Sequence, residues 1–425
     1  MRGRTNIPPR KQPAINGDVE NFIVASGNTI AKGDFVSYVL NQEYTSFDSR
    51  TMELKYKWEY DEVNHKYVLV FLNSGTPIIM LVQVVDGDVV VLDDESISIV
   101  DGTFGGACLD GEYIYVFNAT NTIVSSQRTL LAKKYQIVND EIVYVEDKTN
   151  TIDRYSGNPV GIAVRGSKVY YCYYYTDTRS EYLYLYYGEF GDSLTTYQRI
   201  QLALLSANSY TGAIFIPYVF DSGHIVVVSS LYLDSLSGST TTVSVINVSD
   251  NTVKNYSISD SDYSKHFWDC DKFGSKLCVV SQYVYIYEYS NGEFSVLYSS
   301  TDKMTKKPIM GRIGQNKFVV LGATNSNTKL FEVDGTVVLT ENLLNTVVNY
   351  NSGCILSDYV KGIVIDCSTQ YGVVKYYGEE TTQGFVIGQP TNYVQSYNGG
   401  YTVGFAKIGG TAGDTIQVYV PHNNS

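Results

Sequence analysis

Histidine, tryptophan and proline are scarce in this chain: four, two and nine residues out of 425. Four His and no Cys-x-x-Cys leave no zinc pattern. The six Cys stand singly, mostly in apolar runs such as "KLCVV" and "GCIL". Such residues behave as small apolar side chains, so reduced thiols are expected rather than a disulfide framework. No Gly-x-Ser-x-Gly, His-Glu-x-x-His or P-loop occurs, which excludes the enzyme classes those motifs announce. A run of about 18 apolar residues is missing, so no membrane helix is expected. The opening "MRGRTNIPPRKQP" has no apolar core, so no Sec-type signal is expected either. Positive charge is short overall. The formal net charge is −13 although Arg2, Arg4, Arg10 and Lys11 make residues 1–14 a basic arm. The body is more acidic still, which excludes general nucleic-acid binding.

What is plentiful is Tyr, with 39 residues, and Gly, with 36. Tyr and Val favour a pleated, half-buried surface, and Gly-rich, Pro-poor chains favour tight turns. One pattern recurs seven times, a polar turn followed by a short apolar strand. The copies are "NHKYVLVF" (64–71), "DGEYIYVF" (110–117), "RGSKVYYC" (165–172), "DSGHIVVV" (221–228), "FGSKLCVV" (273–280), "GQNKFVVL" (314–321) and "DYVKGIVI" (358–365). The strand-opening residues fall at 66, 112, 168, 224, 276, 317 and 361, spacings of 41 to 56 residues. Hairpin signals follow at Asp86-Gly87, Asp250-Asn251, Asn291-Gly292 and Asp334-Gly335. Units of this length with about four strands match β-propeller blades. No WD dipeptide, kelch double glycine or Asp-box marks a particular propeller class. The fold expected is all-β: a seven-bladed β-propeller over 46–380, inserted into a small β-barrel or sandwich. Residues 52–57 are expected to pair into the last blade and clasp the ring. The best helix candidate is "ENLLNTVVNY" (341–350).

The two chain ends complete the plan. Residues 15–45 and 381–425 each hold short apolar strands beside a Gly-Asp turn, at Gly33-Asp34 and Gly413-Asp414. Neither segment has a core's worth of apolar surface, and ring closure would bring them together as one anchoring domain. "GNTIAKGDFVSYV" and "VGFAKIGGTAGDTIQVYVP" resemble the small β domain of bacteriophage capsid decoration proteins and related head or tail proteins. The matching residues are Lys32, Gly33, Asp34 and Val36, then Gly404, Phe405, Ala406, Ala412, Gly413, Asp414, Thr415, Ile416 and Val418. In compact decoration proteins these halves are nearly contiguous; here more than 330 residues separate them. The resemblance implies a virion structural protein, made in the host bacterial cytoplasm.

Chemistry-bearing residues are few. His65 and His224 occupy turn positions before repeated strands and read as structural. His266, near Asp269, Cys270 and Asp271, reads as a loop packed on Trp268. Acidic stretches "DSDYSKHFWDCD" and "DGDVVVLDDE" lack the spacing of a calcium loop. No catalytic, cofactor or metal residue is expected. The densest unusual stretch is "VYYCYYYTDTRSEYLYLYYGEF" (169–190). Tyr makes good contact surface at low entropy cost, which makes Tyr173, Tyr174, Tyr175, Tyr182, Tyr184 and Tyr187 the candidate recognition surface. The expectation is a non-enzymatic phage structural protein, tail- or baseplate-associated, that binds a bacterial surface glycan or protein. Its other partners would be virion proteins, including copies of itself, with no nucleic acid and no membrane insertion. The alternatives are a capsid decoration or head-fibre protein, and a propeller glycan hydrolase or lyase marked by carboxylates at one mouth of the central channel.

Overall fold

A computed structural model of the chain describes residues 17–25, 27–41, 44–99, 102–124, 127–153, 159–177, 180–190, 197–198, 210–233, 240–258, 269–281, 283–300, 309–313, 317–321, 328–334, 337–341, 352–358, 361–369, 372–381, 384–387, 389–396 and 402–421. Among the described residues every regular element is a strand, and no helix is long and apolar enough to cross a membrane. Of the helix candidate, Glu341 ends the strand Val337–Glu341 and the remainder lies outside the described residues. The chain divides into two compact units, 1–42 with 388–425 and 43–387.

The larger unit is a β-propeller arrangement. Its antiparallel sheets follow in chain order over 53–96, 102–153, 159–198, 210–258, 269–299, 309–341 and 353–387, called here first to seventh. Each apolar repeat is the second strand of its own sheet: Lys66–Asn73, Tyr113–Val124, Lys168–Asp177, His224–Leu233, Lys276–Val280, Lys317–Leu321 and Lys361–Thr369. A second strand has a neighbour on both edges and a packed sheet on both faces, so its sequence can be apolar throughout. Tyr67, Val68, Leu69, Val70 and Phe71 are all buried, as are Leu277, Cys278, Val279 and Val280. Full burial of such a side chain contributes roughly 1.5–3 kcal/mol. Outer hairpins turn where positive φ is tolerated, at Asp86-Gly87 (φ 52° and 76°), Asn139-Asp140 (52° and 67°) and Asn291-Gly292 (49° and 82°).

In four of the sheets the residue opening the second strand has a job the sequence pattern does not state: it reaches the next sheet. Lys66 pairs with Asp140, in the outer turn of the next sheet, at 2.5 Å. Lys168 donates to the Val248 carbonyl, again in the next sheet. His224 lies close to Gly292, where a Cβ would stand 2.7 Å from Nε2 and where the φ of 82° favours glycine. Lys361, in the seventh sheet, reaches the Asp86 carbonyl of the first at 3.5 Å. The seventh and first sheets also share one apolar cluster, in which Leu356, Ile363 and Ile365 pack with Leu69, Phe71 and Met80.

The clasp expected at 52–57 lies elsewhere. Glu53–Asp61 is the first strand of the first sheet and pairs with Lys66–Asn73. Tyr44–Asp48 instead pairs with Gly372–Thr381 of the seventh sheet, at Tyr376 to Val373. Gly384–Ile387 pairs with the other half of that strand, at Gly378 to Thr381. The outer position of the seventh sheet is thus shared by two segments distant in sequence. A short outer strand pairs with whatever edge the tertiary fold presents, so its own sequence does not name its partner.

The smaller unit is a closed barrel, in the order Gly17–Val24, Gln389–Ser396, Phe35–Asn41, Thr402–Ala406, Thr415–Pro421. Only the last two named pair within one terminal segment; every other pairing joins an N-terminal to a C-terminal strand. Phe22, Val24, Ile30, Val36, Ala406, Ile416 and Val418 form its core. The two Gly-Asp turns dock reciprocally. Gly33 N–H donates to the Ala406 carbonyl and Ala406 N–H to that of Asp34, both at 2.8 Å; Gly413 N–H donates to the Val24 carbonyl and Val24 N–H to that of Asp414, both at 2.9 Å. Each turn is closed by its own carboxylate. Ala31 N–H donates to Asp34 Oδ2, and Thr411 N–H to Asp414 Oδ2, at 2.8 Å in both cases. The φ values of Gly33 and Gly413, 92° and 89°, explain the glycines.

Candidate functional site: a cavity at the ends of the first strands

First strands of the sheets pack against one another. Glu53–Asp61, "ELKYKWEYD", reaches several of them through its side chains. Tyr56 and Trp58 stack at 5.1 Å with 9° between their planes. Trp58 Nε1 donates to the Pro217 carbonyl of the fourth sheet at 3.1 Å. Between them, Lys57 points away from the aromatic pair and meets Asp271 of the fifth sheet at 2.5 Å. The same ammonium lies 3.4 Å from the Met310 carbonyl and 3.5 Å from that of Ile355, in the sixth and seventh sheets. Burial pulls the Lys57 ammonium down, but Asp271 beside it prevails and holds it above its ordinary value. Glu59 pairs with Arg312 of the sixth sheet, whose guanidinium lies 4.4 Å above the Phe273 ring. With Tyr56 also edge-on to Phe104 at 6.2 Å, side chains of this strand reach the second, fourth, fifth, sixth and seventh sheets.

Beyond this plug lies a cavity of about 270 Å³, at the C-terminal ends of the first strands of the first five sheets. Trp58, Tyr60 and Tyr218 provide aromatic lining, and Glu59, Glu62, Asp271, Arg165 and Lys272 the charges. Most of those charges are already matched. Asp271 holds Lys57, Glu59 holds Arg312, and Arg165 is paired with Asp110, whose other oxygen accepts from Gly166 N–H at 2.9 Å. Lys272 differs. Its ammonium sits 5.1 Å from the Phe220 ring centroid, and among the described residues no ion pair engages it. Burial pushes the Lys272 ammonium below its ordinary value. Burial also pushes the Glu59 carboxyl up to about 7, with Asp271 and Glu62 adding to the rise and Arg312 opposing it. A second, open hollow of about 550 Å³ shares Tyr60 and Glu62 with the cavity. It runs between the first and second sheets, past Lys66, Glu112 and Asp140.

Of the six tyrosines expected to form a recognition surface, the side chains of Tyr173 and Tyr187 are described. Tyr173 is fully buried, edge-on to Phe117 (6.1 Å) and Tyr186 (5.7 Å), so it is a core residue and not a contact residue. Tyr187 is half-buried and tilts against Tyr170 at 6.2 Å. Tyr173 faces Tyr184, and Tyr175 faces Tyr182, across one strand pair. The side chains of Tyr174, Tyr175, Tyr182 and Tyr184 lie outside those described. Tyr170, Tyr171 and Tyr173 of this strand are all buried, which composition cannot reveal. His224 bonds Asp221 at 3.0 Å, and Tyr289 donates to the same carboxylate at 2.6 Å, so this His sits in a packed turn. Cys270 is buried under the Tyr218 hydroxyl, and burial raises its thiol well above the ordinary value, leaving no thiolate. His266 lies outside the described residues. Among the described residues no group of His, Cys, Asp and Glu could hold a metal ion.

No sequence family and no curated protein matches this chain. Solved structures match this chain at low identity and with TM-scores below 0.5. A prolyl endopeptidase matches 85% of this chain at 13% identity with a TM-score of 0.42; the chain spans 49% of that protein's length. The periplasmic gluconolactonase of Pseudomonas aeruginosa matches 76% of this chain and 95% of its own, at 12% identity and a TM-score of 0.38. A chain of the mitotic checkpoint complex matches 89% of this chain and 97% of its own, at 10% identity and a TM-score of 0.40.

Proposed function

We propose that this chain is a non-enzymatic bacteriophage structural protein, tail- or baseplate-associated. In this reading the sheets of 43–387 close as one seven-bladed ring inserted into the terminal barrel. The barrel anchors the chain to other virion proteins, and the propeller binds a bacterial surface glycan or protein. The carrying observation is the reciprocal docking of the Gly33-Asp34 and Gly413-Asp414 turns. These are the residues on which the resemblance to phage particle proteins rests. In this reading the domain knitted from the two terminal segments is the part that contacts the particle. A capsid decoration or head-fibre protein uses the same domain at another place on the particle. Labelling intact particles with an antibody against this chain, viewed by electron microscopy, separates these readings. Label at the tail is expected. Label on the head selects the decoration reading, and unlabelled particles overturn both.

One observation favours a second reading, a glycan hydrolase or lyase. Glu59, Glu62 and Asp271 line one cavity, and Glu59 is held near neutrality as a general acid requires. Against it, Glu59 and Asp271 are both committed to buried cations. Incubation with host-wall polysaccharide should release no reducing ends. Release that disappears in Glu59→Gln would replace the binding reading with the catalytic one.

A further inference from the structure

We propose that the cavity at the first-strand ends binds a single carboxylate-bearing sugar ring, with the Lys272 ammonium taking the carboxylate and Trp58 and Tyr60 walling the ring. The inference deepens the receptor-binding reading and relies on it only for where the ligand is found. Size is the first argument. Pockets for drug-sized ligands run roughly 300–1,000 Å³. A space of about 270 Å³ suits one ring rather than a folded chain. The open hollow sharing Tyr60 and Glu62 gives the next sugar a way out between the first two sheets.

Charge is the second argument. Of the cavity's charged groups, Arg165, Glu59 and Asp271 each hold an opposite charge from the surrounding sheets. Lys272 is the cavity cation with no ion pair within 4 Å among the described residues; the Phe220 ring lies 5.1 Å from its ammonium, and Glu62, Asp271 and Glu59 act on it only from longer range. A half-buried ammonium over a ring is poorly solvated, and its lowered pKa reflects that. An incoming carboxylate would relieve the desolvation with a charge-assisted hydrogen bond. Aromatic walls beside it provide the apolar face that a pyranose ring packs on. A neutral hexose would gain the walls but bring the ammonium no counter-charge within hydrogen-bond reach. Inorganic phosphate would gain the ammonium but not the walls.

The chain has two Trp, so the Trp268→Phe variant leaves Trp58 as the sole indole, inside the cavity. Titrating that full-length protein with a glucuronate-containing disaccharide should change Trp58 fluorescence saturably. Glucose-only disaccharide should leave it unchanged at the same concentrations, and inorganic phosphate should compete only weakly. Lys272→Met should weaken glucuronate binding at least tenfold with an unaltered thermal transition, while Lys272→Arg should retain it. If the Met variant does not fold, Lys272→Gln carries the same expectation. No fluorescence change with glucuronate, an affinity indifferent to Lys272, or equal binding of the glucose disaccharide would overturn the proposal. Phosphate binding tighter than glucuronate would overturn the sugar part of it. Glucuronate failing while the chain still binds host cells sinks this inference alone; glucuronate binding with no cell binding sinks the receptor reading alone.

Discussion

The barrel and the propeller unit solve one problem, holding together segments far apart in sequence, by different means. In the barrel, Val24 and Ala406 are tied by main-chain hydrogen bonds to the opposite terminal segment's Gly-Asp turn. The side chains involved are small, and the two carboxylates act only within their own turns. In the propeller unit, Lys57 and Glu59 span sheets by buried charge. Backbone docking depends on conformation and tolerates side-chain change away from the glycines. Charge docking depends on both partners at once. The barrel should therefore be sensitive to φ, and the propeller unit to unpairing.

Unpairing gives the largest effect. Lys57→Met leaves Asp271 buried without its cation and should cost about 3–5 kcal/mol in urea unfolding. Lys57→Met with Asp271→Leu should recover most of that, because apolar replacement of both partners is often neutral. A double variant no better than the single one would show that the pair is not the source. Strain comes next. Gly413→Val forces a β-branched residue to φ near 89° and should cost on the order of 1–3 kcal/mol. Hydrogen exchange at the Val24 and Ala406 amides should accelerate, while that of Val70 in the propeller stays slow. Equal acceleration at Val70 would erase the contrast between the regions.

Titration of Glu59 gives the smallest effect. Its folded value of about 7 lies above the ordinary 4.5, so the native state keeps a proton that the unfolded state has lost. Its contribution is full below about 4.5 and is lost as pH rises through 7. Asp48 and Asp221, held below their ordinary value, act the other way and lose stability as pH falls. Urea midpoints at pH 5 and pH 8 should therefore differ between wild type and Glu59→Gln, the variant losing less on going to pH 8. Identical pH dependence in the two proteins would remove Glu59 from the account.

Legibility in the sequence followed burial. The second strands were readable because a segment packed on both faces must be apolar along its length, as Tyr67 to Phe71 are. Turns such as Asp86-Gly87 and Asn291-Gly292 were readable because few residues accept their φ. The cavity was not. Glu59, Arg165 and Lys272 are more than 100 residues apart, and the alternating charges of "ELKYKWEYD" read as a solvated face. A signal was present nonetheless: five charged residues among aromatics just before the first repeat sit poorly in a strand destined for the interior.

By itself, the sequence determined the strand class, the repeat and the two complementary ends, because these follow from local φ preference and from which side chains must leave water. Tertiary structure alone decided that Tyr44–Asp48 rather than 52–57 shares the seventh sheet's outer edge, that Tyr173 is core, and that Lys272 lies over the Phe220 ring in a cavity lined from five sheets. Each depends on the surface that a distant segment presents, and no local pattern carries that information.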